Sequence, residues 1–528
     1  MPETTQVLIV GAGPTGLMMA WQLAIQGIPF LIIDKNEDHT QQSRAIVIHA
    51  ASMEIFAQMG IADQFLALGK RVTALNAITK NKVTHMPLFS EFGQGLTEFP
   101  FFLALEQFKT EKLLVEFLET KGHKIAWGTE LVSFTETNEN IEAKLKRKDG
   151  TEDMIIASWV VGADGAKSIV RHVLGIPFGG ETYPMDLFVL DCKVDWPLKD
   201  DELYLAFSDR SFAGFFPLPE GNCRVVGLVP EELSGRDNIR FEDIEPTFAA
   251  RMQMDIKLHD PGWISAYRAH HRYVSQFRKG RCFLAGDAAH IHSPVGAQGM
   301  NTGLHDAYNL AWKLALVIRG QAQENLLSSY EDERLPFARQ LVKSLDRAFG
   351  IVVSHNFFIR VFRVRIVPIV LAIVIKMRWL ARFMFRTISQ IGITYSRGIL
   401  VRKASSGQFP ASAPEPGRRL PYLVYRHFVG NDVNIQRMVK RNKMKLFIFS
   451  GDDKDVVLRS IRTLAEKYNS TIETEIIPLN EGSLGLYKGM GLARTGCYLV
   501  RPDLYIAYRS SGFDVQHFEA YLASFLLK

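Results

Sequence analysis

The sequence predicts an α/β fold in which a parallel-sheet domain is interrupted by an antiparallel sheet and followed by a smaller α/β domain. Three observations predict it. Residues 6–34 read as strand, glycine turn, helix and strand; residues 186–268 read as short strands between turn residues; and residues 281–287 return to a buried, parallel-type strand. The first domain is therefore expected to be split around the antiparallel insert.

The N-terminal element is a βαβ unit. Residues 6–10 are nearly all apolar, as expected of a strand buried on both faces, and residues 17–24 favour a helix. The turn between them has the spacing G-x-G-x-x-G, and the second strand ends at Asp34. Such a turn admits a pyrophosphate, and the acid accepts hydrogen bonds from a ribose. The pattern predicts a bound dinucleotide; a glycine turn without a ligand is the alternative. Its glycines are Gly11, Gly13 and Gly16.

Length and composition indicate a globular protein. The chain has 528 residues, enough for two or three domains, and its hydrophobic fraction of 47% is ordinary for a soluble protein. A net charge of +6 is mild at this size and does not imply nucleic acid. The four cysteines form neither a zinc pair nor a C-x-x-C motif, which predicts a reduced, cytoplasmic compartment and no metal site. The N-terminus lacks the pattern of a signal peptide.

The elements after the βαβ unit follow from hydrophobic periodicity. Helices are predicted at 50–59, 106–119, 299–318 and through Arg334, and strands at 124–127, 131–134, 141–145 and 159–165. The insert contributes strands at 187–190, 202–207, 214–218 and 223–229. A proline-rich linker, 410–421, precedes a last domain with strands at 445–450, 471–479 and 498–509 and helices at 456–468 and 515–527.

A second glycine motif lies at residues 162–171. Asp164 stands between two glycines at a strand end, and Arg171 follows one helical turn later. The motif is either a turn whose acid caps the next helix or a phosphate-binding loop with Arg171 as charge partner. Both interpretations stand at this point.

A third motif covers residues 286–301. Asp287 follows a strand, at the edge where open α/β sheets bind ligands. Gly296 and Gly299 free backbone N–H groups beside a helix N-terminus, which favours negative charge on a nearby electron-rich ring. This arrangement suits a flavin; a generic glycine loop is the alternative.

Together the three motifs resemble those of FAD-dependent aromatic hydroxylases of the para-hydroxybenzoate hydroxylase and phenol hydroxylase type. Arg44 before an apolar strand, Gln107 at a helix start and residues 268–272 match as well. Residues 416–421 and 499–503 are similar to the thioredoxin-like tail of phenol hydroxylases. The resemblance covers nearly the whole chain.

The resemblance implies a domain plan. It is a split Rossmann-like FAD-binding domain with an inserted antiparallel-sheet substrate domain and a C-terminal thioredoxin-like α/β domain. The predicted ranges are 1–185 and 269–345 for the FAD-binding domain, 186–268 for the substrate domain, 346–409 for a basic apolar helical segment and 410–528 for the thioredoxin-like domain.

The resemblance also implies where FAD lies. Asp34 is expected on the adenosine ribose, Arg44 and Gln107 on the pyrophosphate side, Asp287 on the ribityl-pyrophosphate, and residues 294–301 beside the isoalloxazine. The residues predicted to contact the cofactor are Gly11, Gly13, Thr15, Gly16, Asp34, Lys35, Arg44, Gln107, Val132, Asp164, Asp287, Pro294, Gly296, Gln298, Gly299, Met300 and Asn301.

The implied activity is that of a monooxygenase. NADH or NADPH reduces the flavin without a second nucleotide-binding fold, O2 forms a flavin hydroperoxide, and the distal hydroxyl is transferred to a phenolic or polycyclic aromatic substrate. A flavin reductase or halogenase on the same fold, or a flavin-binding protein without turnover, are the alternatives. Halogenases carry a W-x-W signature, and no two tryptophans here are spaced two apart.

Acid–base residues are not predicted. Tyr204, His270 and His271 lie in or near the inserted sheet, and three further histidines lie near the motifs, but each is more often structural. Two departures from the family pattern are visible. Residues 49–54 lack an arginine that relatives commonly carry, and Cys497 is a lone cysteine that cannot do disulfide chemistry. The three histidines are His49, His290 and His292.

The segment 347–414 contains no Asp or Glu, eleven Lys and Arg, and ten successive apolar residues at 366–375. That run is too short to span a bilayer, which needs roughly 20 residues. Peripheral membrane contact, reaching a lipophilic substrate, is one interpretation. Packing of these helices over the FAD-binding domain is favoured, because Pro368 should kink a surface helix. The tail is expected to be structural and to offer a homodimer contact.

Overall fold

The fold is described from a computed structural model. The described residues are 3–41, 45–79, 82–208, 211–236, 238–252, 254–354, 356–401, 405–426, 432–451, 463–464, 466–512 and 514–527. Arg44 and most of the predicted helix 456–468 lie outside these ranges.

The helices of the described residues lie mostly where periodicity predicts them, and 299–318 matches to the residue. They are α1 (Pro14–Ile25), α2 (Ala50–Met59), α3 (Ala62–Leu68), α4 (Gln107–Thr120), α5 (Ile169–Val173), α6 (Phe241–Met252), α7 (Gly299–Ile318), α8 (Ser328–Val353), α9 (Phe357–Val361), α10 (Val367–Lys376), α11 (Arg378–Ile388), α12 (Leu484–Met490) and α13 (Val515–Ala523).

The strands form several separate sheets. They are β1 (Glu3–Val10), β2 (Phe30–Ile33), β3 (Val47–Ile48), β4 (Lys70–Val72), β5 (Ala74–Thr79), β6 (Lys82–Met86), β7 (Phe102–Ala104), β8 (Thr129–Glu136), β9 (Ile141–Arg147), β10 (Glu152–Gly162), β11 (Phe178–Asp195), β12 (Glu202–Phe207), β13 (Phe212–Pro217), β14 (Cys223–Leu228), β15 (Lys257–Val274), β16 (Arg278–Lys279), β17 (Cys282–Leu284), β18 (His290–Ile291), β19 (Ser405–Ser406), β20 (Val424–Arg426), β21 (Asp432–Asn434), β22 (Met444–Phe449), β23 (Ile472–Ile477), β24 (Gly496–Val500) and β25 (Ile506–Ser510).

The first sheet has the strand order β16-β17-β10-β1-β2, and β9 and β8 extend it from β10. β1 pairs in parallel with β10 and β2, and β10 pairs in parallel with β17. The second half of β1, Val7 to Val10, is buried, as its apolar sequence requires. The predicted α/β class and the return of the chain to this sheet after the insert are confirmed.

The second sheet has eight strands in the order β18-β15-β11-β14-β13-β12-β5-β6. It is larger than the sequence pattern predicts, because β5 and β6 join it from well before residue 186 and because β11 and β15 are each 18 residues long. Short alternating runs did not reveal that β5 pairs in parallel with β12 across more than 120 residues.

One face of the eight-stranded sheet packs on α6 through a core that includes Phe188, Phe215 and Phe248. On the other face, Leu205 and Phe216 pack against the core of the first sheet. We call this second face the inner face, because it is turned toward the first domain.

The C-terminal domain is a five-stranded mixed sheet in the order β19-β25-β24-β22-β23. The strand predicted at 498–509 is two antiparallel strands, β24 and β25, joined by a turn in which Leu504 has a φ of 66°. α13 packs on this sheet through Phe518 and Leu522.

A buried charge network joins the C-terminal domain to the first domain. The Glu333 carboxylate, on α8, accepts hydrogen bonds from Lys313 Nζ at 2.8 Å and from Arg501 Nη1 at 2.6 Å. Arg501 also donates to Asp503, which binds Asn309 in turn. All these side chains are buried, so the two domains share one continuous interior.

The basic segment forms α9, a π-helical turn at Phe362–Ile366, and then α10 and α11. Pro368 lies in the first turn of α10, where its missing N–H costs no hydrogen bond. α11 packs inward through Ala381 and Phe385, whereas α10 has no buried residue. Among the described residues, no helix is long and apolar enough to cross a bilayer.

Candidate functional site

The three glycine motifs meet at one edge of the first sheet. The turn at 11–16 follows β1, Asp34 follows β2, Asp164 follows β10 and the turn at 286–288 follows β17. Because these strands are parallel neighbours, their carboxyl ends lie side by side, which is the edge where open α/β sheets bind ligands. The site is therefore assembled from segments about 270 residues apart in the chain.

The first turn combines close packing with an open space. Gly11 has a φ of 102°, and a Cβ there would overlap the carbonyl oxygen of Ala163. A Cβ at Gly16 would overlap the Gly11 carbonyl. At Gly13, by contrast, no heavy atom of the described residues lies within 4 Å of a Cβ position. Gly13 immediately precedes α1, so this space lies at a helix N-terminus, which favours a phosphate group.

Asp34 is held toward the turn. One of its carboxylate oxygens accepts a hydrogen bond from Ala12 N at 2.7 Å and the other from Asn36 N at 2.8 Å. The side chain stays half-buried at this edge of the sheet, which we call the cleft, and Lys35 beside it is exposed. A carboxylate fixed in this way can accept hydrogen bonds from ribose hydroxyls.

Gln107 is the first residue of α4, and Val132 lies on β8. The Gln107 side-chain amide donates to Glu111 Oε1 at 2.8 Å, and burial raises the pKa of the Glu111 carboxyl. Val132 is an exposed residue at a bulge in β8, a strand whose first residue, Thr129, donates to the Asp34 carbonyl at 2.8 Å.

In the second motif, one carboxylate oxygen of Asp164 forms a hydrogen bond within the protein and the other does not. Asp164 Oδ2 accepts a hydrogen bond from Val170 N at 3.2 Å, whereas Oδ1 is buried and has no hydrogen-bond partner among the described residues. Burial raises the pKa of this carboxyl. The cap of α5 is Ser168, which accepts from Arg171 N at 3.0 Å. A buried acceptor without a partner is the kind of group that a bound ligand satisfies.

Arg171 ties the second motif to the third. Its guanidinium donates to the Ala288 carbonyl at 2.9 Å and to the Ala166 carbonyl at 2.7 Å, and it lies 4.0 Å from the ring centroid of Phe178. These contacts give Arg171 a positioning role, because they fix the turn that carries Asp287.

The third motif closes on Thr15 of α1. Gly286 has a φ of 59°, and a Cβ at Gly286 or at Gly303 would collide with Thr15 Oγ1. The side chain of Asp287 is accessible in the cleft, yet the surrounding protein displaces enough water to raise its pKa. An accessible carboxylate at this strand end can receive hydroxyl groups of a ribityl chain.

The loop before α7 is held in an unusual backbone conformation. Gly296 and Ala297 have φ values of 78° and 50°. The Ala297 carbonyl accepts hydrogen bonds from His49 Nε2 at 2.9 Å and from Asn301 Nδ2 at 3.1 Å. Burial lowers the pKa of His49 to about 4, so its ring is a neutral N–H donor at neutral pH. The loop is thereby fixed beside the N-terminus of α7, formed by Gly299 and Met300.

The side chains of Asn301 and Gln298 form hydrogen bonds within the protein. Asn301 Oδ1 accepts from His49 N at 2.9 Å and from Ser52 Oγ at 2.8 Å, and Gln298 Nε2 donates to the Ile388 carbonyl at 3.0 Å. Their side chains therefore hold the loop in place. Pro294 opens this loop.

Sequence reasoning missed a buried triad behind the third motif. Asp306, on α7, accepts hydrogen bonds from Gly286 N at 3.0 Å, His290 Nε2 at 2.7 Å and Arg334 Nε at 2.6 Å. Burial opposes ionisation of Asp306, but the Arg334 charge prevails and lowers its pKa to about 2. The signal was an acid within the fully buried stretch of α7, which periodicity alone does not single out.

The inner face of the eight-stranded sheet forms an apolar wall. Leu205, Phe216 and Val226 are only half-buried there. An ion pair interrupts the wall, with Arg224 Nε and Nη2 each 2.6 Å from Asp191 oxygens. Such a wall can contact a flat aromatic molecule.

The acid–base candidates lie elsewhere. The Tyr204 hydroxyl donates to Glu202 at 3.2 Å in the core on the α6 side. His270 contacts Thr182 at 2.8 Å, and His271 lies 3.1 Å from Asp346. Each has a structural partner, and the geometry identifies none of them as an acid–base group.

Comparison with known proteins places these features in a family. A family model described as an FAD-binding domain matches residues 4–344. The 6-methylpretetramide 4-monooxygenase of Streptomyces rimosus is 32% identical over 518 residues, covering 95% of this chain and 90% of that protein. The pentachlorophenol 4-monooxygenase of Sphingobium chlorophenolicum is 36% identical over 356 residues, covering 66% of this chain and 65% of that protein.

The fold is also that of solved structures. OxyS anhydrotetracycline hydroxylase from Streptomyces rimosus superposes with a TM-score of 0.77 at 24% identity, covering 99% of each chain. At 24% sequence identity, this match shows a shared fold and nothing further.

Proposed function

This chain belongs to the family of FAD-binding flavoprotein monooxygenases, and from that premise we propose that it uses NADH or NADPH and O2 to hydroxylate a phenolic or polycyclic aromatic substrate. The observation that carries the proposal is the convergence of the three glycine motifs on one edge of the first sheet, against whose core the apolar inner face also packs. Substrates of the named relatives, which include a polycyclic compound and a chlorinated phenol, support this substrate class.

The residues present fit FAD. The open space at Gly13 accepts a pyrophosphate, the unpartnered Asp164 Oδ1 is an available acceptor, and Asp287 is accessible for the ribityl hydroxyls. When bound, FAD supplies the two-electron redox chemistry and the activation of O2. We assign the adenosine end to Asp34 and Lys35. The remaining assignments are Gly11, Thr15, Gly16, Arg44, Gln107, Val132, Pro294, Gly296, Gln298, Gly299, Met300 and Asn301.

The protein's own groups position the reaction. The N-terminus of α7 stabilises negative charge that develops beside it. The loop 294–301 presents its backbone to the ring, and the half-buried wall formed by Leu205, Phe216 and Val226 excludes water from the aromatic substrate.

The test is a turnover assay with labelled oxygen. Purified protein should carry FAD, and a panel of phenols and polycyclic phenols should include compounds that accelerate NAD(P)H oxidation. One atom of labelled O2 should enter the product. Accelerated NAD(P)H oxidation without label in the product would indicate a reductase or oxidase. A chlorinated product formed in the presence of chloride would indicate a halogenase. FAD binding without any acceleration of NAD(P)H oxidation would indicate a protein without turnover.

We also propose a cellular setting, which is cytoplasmic with peripheral contact to a membrane through residues 347–414. The absence of acids from this segment supports the contact. A homodimer joined through the C-terminal domain is a further proposal, and light scattering at several concentrations tests it. A mass that stays at one chain would exclude the dimer.

A further inference from the structure

The surface formed by α9, the π-helical turn, α10 and α11, residues 357–388, exposes large apolar side chains in an unusual density. Phe358 is 79% exposed, Trp379 66% and Ile369 61%. Monomeric soluble proteins rarely present such contiguous apolar area unless it contacts something. We call this surface the helical patch.

Five exposed apolar residues of the helical patch lie along one side of the π-helical turn and α10, up to the C-cap Met377. They follow one another at spacings of four, three, four and four, which places them in a single stripe. In α11, Trp379 and Phe383 point outward, while Ala381 and Phe385 pack inward. The stripe residues are Phe362, Ile366, Ile369, Ile373 and Met377.

Cations surround this stripe. Arg365, Lys376, Arg378 and Arg386 are exposed, and within the described ranges none of the four forms an ion pair with a carboxylate. Burial and repulsion from Arg386 and Arg378 lower the pKa of Arg382. Residues 347–414 contain no acid to balance them.

We propose that the helical patch docks on an anionic lipid bilayer, with the stripe in the headgroup–acyl boundary and the cations against lipid phosphates. The inference deepens the peripheral contact proposed above by naming the residues and the lipid chemistry. Trp and Phe on one face with Lys and Arg at its margin are typical of interfacial helices.

The charges favour a bilayer over a second copy of the chain. A two-fold dimer through this patch would bring the same surface of two molecules together. The cations would then face cations, without acids in the segment to pair with them. An anionic bilayer offers the complementary charge, and each Lys or Arg near it contributes on the order of a fivefold gain in partitioning.

The helical patch is firmly attached to the rest of the molecule. Buried Arg363 donates to the Ser208 carbonyl at 3.2 Å, just after β12. Phe349 and Val353, at the end of α8, pack with Leu187 on the eight-stranded sheet. Docking would therefore hold the sheet that carries the apolar wall close to the bilayer, within reach of a lipophilic substrate.

Vesicle flotation tests the proposal, using the holoprotein and vesicles of phosphatidylcholine with or without phosphatidylglycerol. We expect binding to the anionic vesicles that high salt weakens. The triple variant Ile366→Gln, Ile369→Gln, Ile373→Gln, which changes three exposed residues of the stripe, should lose binding. The matched control Leu68→Gln, Met154→Gln, Leu484→Gln changes three exposed apolar residues elsewhere and should bind as the wild type does.

A second set of variants measures the electrostatic contribution to vesicle binding separately from the apolar contribution. The variant Arg365→Gln, Lys376→Gln, Arg378→Gln should partition roughly 100-fold more weakly. The variant Lys121→Gln, Lys146→Gln, Lys257→Gln removes three exposed cations from other surfaces and should change partitioning far less. Retained flavin absorbance shows that each variant is folded.

Three outcomes would overturn the proposal. They are absence of flotation with anionic vesicles at low salt, equal binding to neutral and anionic vesicles, and a concentration-dependent dimer that the triple apolar variant abolishes while vesicles fail to bind. Flotation requires no substrate turnover, so its failure is distinct from failure of the proposed hydroxylation. The triple apolar variant should still oxidise NAD(P)H with a water-soluble substrate.

Discussion

At the residue scale, the cleft combines carboxylates with different environments. Asp287 is accessible and Asp164 is half-buried, and in both the pKa is raised by loss of water. Asp306 is fully buried, yet its pKa is lowered to about 2, because burial is outweighed by Arg334 and His290. The first two are available to a ligand, whereas Asp306 is engaged entirely by protein.

Asp287→Ala should weaken FAD retention. Hydrogen bonds to a charged group contribute about 1.5–3 kcal/mol, which corresponds to roughly 10- to 100-fold in affinity. Flavin content after dialysis and titration of the apoprotein measure the effect. Asp255→Ala, at an exposed acid away from the cleft, is the control. Unchanged FAD affinity in Asp287→Ala would remove this residue from the assigned set.

Asp306→Asn should destabilise the protein by about 3–5 kcal/mol, because it leaves the Arg334 charge buried without its partner. The depressed pKa gives the effect a pH dependence. The stabilisation by Asp306 is complete above the unfolded pKa of about 4 and is lost as pH falls toward about 2.

Denaturant unfolding across pH checks this expectation. The difference in unfolding free energy between wild type and Asp306→Asn should be constant above pH about 4 and should shrink below it. Glu139→Gln, at an exposed acid, serves as the control. A difference that grows on acidification would contradict the assignment.

Cys497→Ser should retain activity and fold. The thiol is buried on β24, where burial raises its pKa to about 12, so it is not a thiolate at neutral pH. The other cysteines are also free and buried. NAD(P)H oxidation with substrate, measured beside the wild type, decides the point. A large loss of turnover in a folded variant would show that the thiol takes part.

At the element scale, the glycines of the first βαβ turn differ in role, since some are needed for packing and one for ligand binding. Gly11 and Gly16 are required by close backbone contacts, whereas Gly13 faces open space. The same motif therefore contains glycines that the fold needs and one that only a ligand needs.

Gly13→Ala and Gly16→Ala should behave differently. Without FAD, Gly13→Ala should change the unfolding free energy by only about 0.5–1 kcal/mol, yet it should lose FAD because its Cβ enters the pyrophosphate space. Gly16→Ala should lose both stability and FAD, since its Cβ overlaps the Gly11 carbonyl. Apoprotein melts and flavin titrations give the two readouts. Tight FAD binding by Gly13→Ala would place the pyrophosphate elsewhere.

The elements also show what the sequence could predict. α7 was predicted to the residue, because an apolar helix with a glycine start has clear ends. The parallel pairing of β5 with β12 was not predicted, because long-range pairing leaves no local pattern. The helices of the helical patch were expected to pack over the FAD-binding domain, because Pro368 should kink a surface helix. α11 does pack on the first domain through Ala381 and Phe385. Pro368, however, fits the first turn of α10, and α10 has no buried residue.

At the scale of the whole molecule, the site depends on contacts between distant segments. Its motifs were visible in the sequence because each obeys a local rule of glycine spacing or strand end. The triad around Asp306 and the network around Glu333 could not be predicted from the sequence. Their partners lie far apart along the chain, so no local sequence pattern marks these buried charges. Both networks connect helices α7 and α8, one to the cleft and the other to the C-terminal domain.

The Glu333 network predicts that the first and C-terminal domains unfold together. Burial opposes ionisation of Glu333, but Arg501 and Lys313 lower its pKa to about 2, so the carboxylate is charged throughout the physiological range. Arg501→Met removes one cation and leaves Glu333 and Asp503 under-compensated, at a cost of about 3–5 kcal/mol. The substitution therefore destabilises the contact between the first and C-terminal domains.

Calorimetry should therefore show one transition for the wild type and two for Arg501→Met, with the C-terminal domain unfolding first. Arg494→Met, at an exposed arginine of the same domain, should keep the single transition. Limited proteolysis should cut the C-terminal domain of Arg501→Met before the first domain. A single transition at an unchanged Tm in Arg501→Met would show that apolar packing, including that of Leu526 against Trp312 and Leu326, suffices to couple the domains without the charges.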